Sequence, residues 1–267
     1  MCSRFRRLRA GAAVLGALAC APLACAGVPL LRVCADPDNA PYSLRDESGF
    51  ENRIARAVAQ DLHADLAFVW TPPTRGYVRK TLDANACDAL VGVPAGLPGV
   101  RATAPYYRAG YVFAYRADRV AQPQSLDDPQ LRTRAVGVTL IGNDMAATPA
   151  AFALAQRGVT ANVVGFPAMG AGPAAQRAVD ALVAGDIDIA LLWGPQAGWF
   201  ARGAPAPVAL ARLDCGADDP PCEFAIAMAV RRDDAALAER LDAALARQRG
   251  AIDAILRDYA VPRTDGR

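Results

Sequence analysis

Apolar positions recur along this chain with two different periods. Short β-branched runs at 30–34, 66–70 and 87–93 read as buried strands. Between the first two, Ile54, Ala55, Val58, Ala59 and Leu62 fall at helical spacing after Phe50, and a second helix is predicted over about 76–85. Asp36-Pro37-Asp38-Asn39-Ala40-Pro41 is turn chemistry that stops the first strand. The order β-α-β-α-β predicts a parallel sheet with helices on its faces. The pattern then changes. Residues 110–116 read as a strand with no helix before it, followed by Gln122-Pro123-Gln124-Ser125, which reads as a linker. A second α/β unit has strands at 135–140, 159–164 and 187–193 and helices near 144–157 and 174–184. A last strand at 224–230 and two amphipathic helices, near 234–248 and 252–259, close the chain.

Two such units, each followed by an extra strand, predict an α/β protein of two Rossmann-like lobes joined by two crossing strands. The expected division is residues 27–115 for the first part of lobe 1, 116–222 for lobe 2, and 223–267 for the strand and helices that return to lobe 1. Ligands of open α/β sheets sit at the carboxyl ends of the strands. In a two-lobed protein those ends face a common cleft that hinge motion can open and close.

The N-terminus changes the reading of charge. Arg4, Arg6, Arg7 and Arg9 precede an apolar run from Ala10 to Ala24, and Ala24-Cys25-Ala26 offers the small residues a signal peptidase needs. Residues 1–26 are therefore expected to be a secretory signal, too short to span a membrane. Acylation at Cys25 is the lipoprotein alternative, disfavoured by Pro22. The whole chain carries 29 Lys+Arg against 27 Asp+Glu, and the signal holds four Arg and no acid. Its removal leaves a slightly acidic protein with no argument for nucleic acid. Four of the seven cysteines remain: Cys34, Cys87, Cys215 and Cys222. An even number in an oxidising compartment predicts two disulfides. Cys215 and Cys222 are close enough in sequence to close one small loop, which leaves Cys34 to pair with Cys87.

Nothing in the sequence assembles catalytic chemistry. The one histidine, His63, follows a helix far from any nucleophile, so no triad is expected. Gly137-Val138-Thr139-Leu140-Ile141-Gly142 lacks the spacing of a phosphate loop. Asp36, Asp38 and Asn39 lack the further ligands of a calcium loop and read as an Asx turn. No cofactor and no metal are expected. Glu51 is the one carboxylate placed near the cleft.

Phe50 after the acidic turn, Pro105-Tyr106-Tyr107 and the strand ending at Arg231 resemble the type II periplasmic solute-binding proteins. A narrower resemblance, to the J proteins of methanol oxidation (MxaJ and XoxJ), is carried by several segments. They are Val33-Cys34-Ala35-Asp36-Pro37-Asp38-Asn39, Gly49-Phe50-Glu51-Asn52-Arg53-Ile54, Arg75-Gly76-Tyr77-Val78-Arg79, Cys87-Asp88-Ala89-Leu90-Val91-Gly92-Val93-Pro94 and Trp193-Gly194-Pro195. This resemblance implies a type II periplasmic-binding-protein fold, a periplasmic location and a partner, a PQQ-dependent methanol or alcohol dehydrogenase. Amino-acid-binding relatives clamp a zwitterion between an Arg and an Asp. The corresponding positions fall at about Leu97 and at Trp193, so the clamp is expected to be missing, with Arg101 close by in a different register. Candidates to line the cleft are Tyr42, Tyr106, Tyr107 and Trp193. Arg75, Arg101 and Arg108 are candidates to meet a carboxylate or a partner's acidic surface, as is Arg79. Trp199 is expected to fill the core of lobe 2. The alternative function is solute capture for an ABC importer, with a small ligand that is not an amino acid.

Overall fold

The computed structural model describes residues 28–141 and 144–265. The expected signal segment, Cys25 included, lies outside the described residues. Among the described residues no helix is long and apolar enough to cross a membrane.

In the first half, β1 (Leu30–Ala35) lies between β4 (Asp65–Trp70) and β5 (Ala89–Pro94), all parallel. The connections are a hairpin of the two-residue strands β2 (Asp38–Asn39) and β3 (Ser43–Leu44), helix α1 (Phe50–Asp61), and a short helix α2 (Tyr77–Lys80). A short β6 (Val100–Ala102) then leads into β7 (Tyr107–Tyr115). In the second half, β8 (Val136–Ile141), with the short β9 (Ala146–Ala147) paired to its end, lies between β10 (Val163–Phe166) and β11 (Ile189–Trp193). Helices α3 (Pro149–Gln156), α4 (Ala174–Ala184) and α5 (Gly194–Arg202) cover its faces. After β12 (Ala209–Arg212), β13 (Glu223–Arg231) returns to β5, and α6 (Ala235–Arg247) and α7 (Arg249–Asp258) pack beside α1. This is the two-lobed type II periplasmic-binding-protein architecture.

Two strands join the lobes. Residues 107–110 of β7 pair antiparallel with β13, and residues 111–115 pair with β11. The tail crosses beside them, because Arg263 bridges to Ala109 and the Thr264 amide donates to the Arg108 carbonyl at 3.1 Å. Arg263 itself is 5% exposed and held by Asp253 and Asp265 at 2.5 and 2.6 Å. Each lobe buries its own apolar clusters, and Trp193 and Phe224 pack against both.

Both expected disulfides form. Cys34 at the end of β1 joins Cys87 just before β5 with Cα atoms 5.6 Å apart, and Cys215 joins Cys222 at 5.9 Å in the loop between β12 and β13. Several elements differ from expectation for local reasons. Helix α3 begins at Pro149 rather than near Asp144, because Thr148 caps it by accepting from the Ala151 amide and Pro suits the first helical turn. Val159 belongs to that helix's end, not to the next strand. Gly158, with φ 74°, donates to Ala155, and Val159 donates back to Leu154 while packing into the core. This is a Schellman stop. Helix α2 is a single turn, because Thr81 turns its hydroxyl onto the Tyr77 carbonyl and leaves helical geometry.

The unexpected helix α5 carries a glycine face against the tail. A Cβ at Gly198 would lie 1.9 Å from the Ala260 carbonyl oxygen, and one at Gly194 would lie 2.6 Å from that of Gly110. Trp199, expected in the core, is instead 36% exposed and stacks on Tyr259 at 4.9 Å. Gly198→Ala should therefore destabilise the protein by about 1–3 kcal/mol, the usual cost of overpacking a fixed contact. Urea unfolding followed by circular dichroism would read it, and an unchanged midpoint would show that the tail can retreat freely.

Candidate functional site

The cleft between the lobes has a volume of about 550 Å³. Its floor is built by strand alternation. On β7 and β13, Tyr107, Tyr111, Phe224 and Ile226 project to one face and all line the cleft. Trp193 closes the lobe 2 side where β11 ends, with its ring 5.3 Å from Tyr111 and 5.8 Å from Phe224 in edge-on geometry. Lobe 1 adds Tyr42, Phe68 and Tyr77, and lobe 2 adds Thr139, Ile141, Thr148 and Gln196. Ile141, at the lip, is 50% exposed.

Two carboxyls enter this apolar space. Asp36 follows β1, and its Oδ1 accepts the Asp38 amide at 3.1 Å, the Asx turn expected from the sequence. Glu51 stands in the first turn of α1, whose entry is fixed when the Glu51 amide donates to the Tyr42 carbonyl at 2.9 Å. Its side chain folds back over Gly92. A Cβ there would lie 1.7 Å from Glu51 Oε1, so the glycine, at φ 73°, makes the room for the carboxyl. The Gly92 amide donates to the Tyr106 hydroxyl at 3.1 Å. Among the described residues Glu51 has neither an ion-pair partner nor a side-chain hydrogen bond, and the buried Tyr42 hydroxyl also lacks a partner.

Burial pushes the Glu51 carboxyl up to about 8, with a further rise from nearby Asp36. The α1 N-terminus acts in the opposite direction, but a helix end stabilises an anion by only about 0.3–2 kcal/mol, less than removing a carboxylate from water costs. Burial also raises Asp36, lifts the Tyr42, Tyr106 and Tyr107 hydroxyls well above the ordinary phenol range, and sets Tyr77 and Tyr111 at about 12. At neutral pH the cleft is thus an apolar chamber in which Glu51 is largely uncharged and the phenols are intact.

The sequence-derived candidates divide. Tyr42, Tyr107 and Trp193 line the cleft, as do Leu97 and Glu51. Tyr106 is buried behind it, reaching Gly92 through its hydroxyl. Arg75 and Arg79 are exposed and not part of the lining. Arg101 turns away to donate to the Arg232 carbonyl, and Arg108 pairs with Glu223 at 2.8 Å on the surface. His63 is exposed just past α1. The sequence reading missed Phe68, Tyr111 and Phe224, whose convergence depends on sheet register, and Tyr77, carried by α2. Alternation within the two crossing strands was the available signal for Tyr111 and Phe224.

A family model described as bacterial extracellular solute-binding proteins, family 3, matches residues 31–261. The chain is 34% identical over 252 residues to Protein MoxJ of Methylorubrum extorquens, covering 87% of this chain and 81% of that protein. The crystal structure of the periplasmic binding protein XoxJ from Methylobacterium extorquens AM1 matches with a TM-score of 0.73 at 34% identity, over 87% of this chain and 98% of that one. MxaJ from Methlophaga aminisulfidivorans MPT matches with a TM-score of 0.74 at 26% identity, over 87% and 99%.

The raised acid has a signature in stability. Between its ordinary value of 4.5 and about 8, Glu51 holds its proton in the folded protein and loses it when unfolded. Rising pH in that window therefore favours unfolding, by at most about 1.4 kcal/mol per pH unit from this group. Glu51→Gln should flatten this fall, leaving the variant more stable than the parent by a few kcal/mol near pH 8 and little changed near pH 5. Thermal melts across that range would detect it, and parallel pH profiles for the two proteins would contradict it.

Proposed function

This chain belongs to the bacterial extracellular solute-binding proteins, family 3, and from that premise we propose that it is a periplasmic, non-catalytic accessory protein of a PQQ-dependent methanol or alcohol dehydrogenase, aiding that enzyme's maturation or activation. The observation that carries the reading is the character of the cleft. Leu97 and Trp193 line it at the two positions expected to clamp an amino acid, and among the described residues no Arg, Lys or His lines it. A zwitterion therefore has no guanidinium for its carboxylate. What the cleft offers instead is an aromatic concavity with an exposed apolar lip at Ile141, the kind of surface that receives an anchoring side chain of a protein partner. The similarity to MoxJ and XoxJ at 34% identity supports the same direction.

A second reading is solute capture for an ABC importer. It is favoured by the size of the cleft, about 550 Å³, which lies within the range of small-molecule sites. The two separate in one experiment. Affinity-tagged protein should retain the dehydrogenase encoded by the same organism, and deleting this chain should lower that enzyme's activity. Ile141→Asp, a change at an exposed position, should weaken the complex at least tenfold without loss of stability. If no complex forms and dehydrogenase activity is the same without this chain, the accessory role is wrong. A thermal shift with one small solute, growing with its concentration, would then favour import.

A further inference from the structure

The chain has 29 Lys and Arg residues, Lys80 being the only lysine, yet among the described residues none lines the cleft. Its two charged lining residues, Asp36 and Glu51, are both acids. Among the described residues, the titratable groups facing Glu51 are Asp36 just after β1, Tyr42 from the loop before α1, Tyr77 from α2, Tyr106 just before β7 and Tyr107 at its start, with no base among them. A carboxyl buried without a cation costs stability, and an apolar residue in its place would not. Gly92 nevertheless makes room for it.

We propose that the cleft is a receptor for an organic cation, an alkylammonium or guanidinium group whose charge is met by Glu51 and Asp36 and whose carbon chain lies against Tyr42, Phe68, Tyr107 and Trp193. Each alternative ligand class meets a physical objection. An anion would face two carboxyls. A zwitterion would leave its carboxylate without a partner. A purely apolar ligand would gain nothing from Glu51 and would have to cover it. A cation gains twice, because the carboxylates neutralise it and the electron-rich ring faces attract it in a site with little water. Its arrival also reverses the penalty on Glu51, since an adjacent positive charge favours the ionised form. Binding therefore releases a proton whenever Glu51 is protonated beforehand. This inference goes beyond the accessory role, because a free amine and a basic side chain presented by a partner share the same recognition chemistry.

Isothermal titration calorimetry on the processed full-length protein tests it, with n-hexylammonium, 1-hexanol and hexanoate as matched probes. Hexylammonium should bind at least tenfold more tightly than hexanol, and hexanoate should not bind. Its affinity should rise about tenfold per pH unit from pH 6 and level off above about pH 8. At pH 7 the heats should differ between phosphate and MOPS as a released proton requires. Glu51→Gln should lose most of the affinity and all of its pH dependence, while Asp36→Asn should weaken binding less. If Glu51→Gln does not fold, the pH profile and buffer dependence of the parent decide the matter. Equal binding of hexanol, any binding of hexanoate, or a pH-independent affinity would overturn the proposal. Nα-acetyl-lysine amide identifies the source. Tighter binding than hexylammonium assigns the site to a partner's side chain, and weaker binding assigns it to a free amine. A cleft that binds amines while no dehydrogenase complex forms would remove the accessory role and leave this inference standing, and a complex without amine binding would do the reverse.

Discussion

The pairing of β7 with β13 is the constraint on which the rest of the molecule depends. Glu223 lies opposite Gly110 and Ile226 opposite Tyr107, and from this short ladder each lobe's sheet extends outward, one through β5 and the other through β11. The same ladder makes the cleft floor. A strand sends alternate side chains to opposite faces, so the register that joins the lobes also delivers Tyr107, Tyr111, Phe224 and Ile226 to one surface. A one-residue slip of either strand would turn its two away and bring their neighbours forward. Lobe connection and cleft chemistry are therefore one structural decision.

That floor governs the electrostatics above it. Aromatic and aliphatic surface solvates charge poorly, so the carboxyl of Glu51 meets a penalty that the α1 N-terminus only partly offsets. Several partly buried acids elsewhere meet an arginine. Asp88 receives a bidentate Arg32, and Asp219 a bidentate Arg157 at 2.6 and 3.0 Å. Among the described residues no arginine reaches Glu51. The cleft's character comes from what is left out, a guanidinium at about Leu97, as much as from what is present.

Much of the fold was legible because it follows from local periodicity. Helix α4 falls on residues 174–184 as its apolar spacing predicts, and the returning strand and both disulfides follow from similarly plain signals. Elements whose sequence serves a distant contact were not legible. Helix α5 contains Gly194, Pro195 and Gly198, which depress helix propensity. The two glycines are there because the Gly110 and Ala260 carbonyls lie where Cβ atoms would be. The β-branched Val159 looked like the start of a strand, whereas it caps α3 from outside. The cleft shows the same division. Tyr42 and Trp193 stand beside turns that strand ends require, so local reading finds them. Phe68 and Tyr77 reach the cleft through the parallel register of β4 on β1 and the one-turn helix α2, and neither is written in a window of neighbouring residues.

The tail adds a condition on how the cleft can change width. With two crossing strands alone, one lobe could rotate against the other at little cost beyond backbone torsion. Here Arg263 and Thr264 run along β7 as a third crossing segment, and Trp199 of lobe 2 stacks on Tyr259 at the end of α7. Neither ring lines the cleft. A rotation must slide one over the other, and such a pair contributes about 0.5–1.5 kcal/mol beyond its buried area. It must also shift the glycine face of α5 along Ala260, where there is no slack. Cleft width and tail packing are thus coupled through α5, which starts just after Trp193 in the cleft wall and carries Trp199 against the tail.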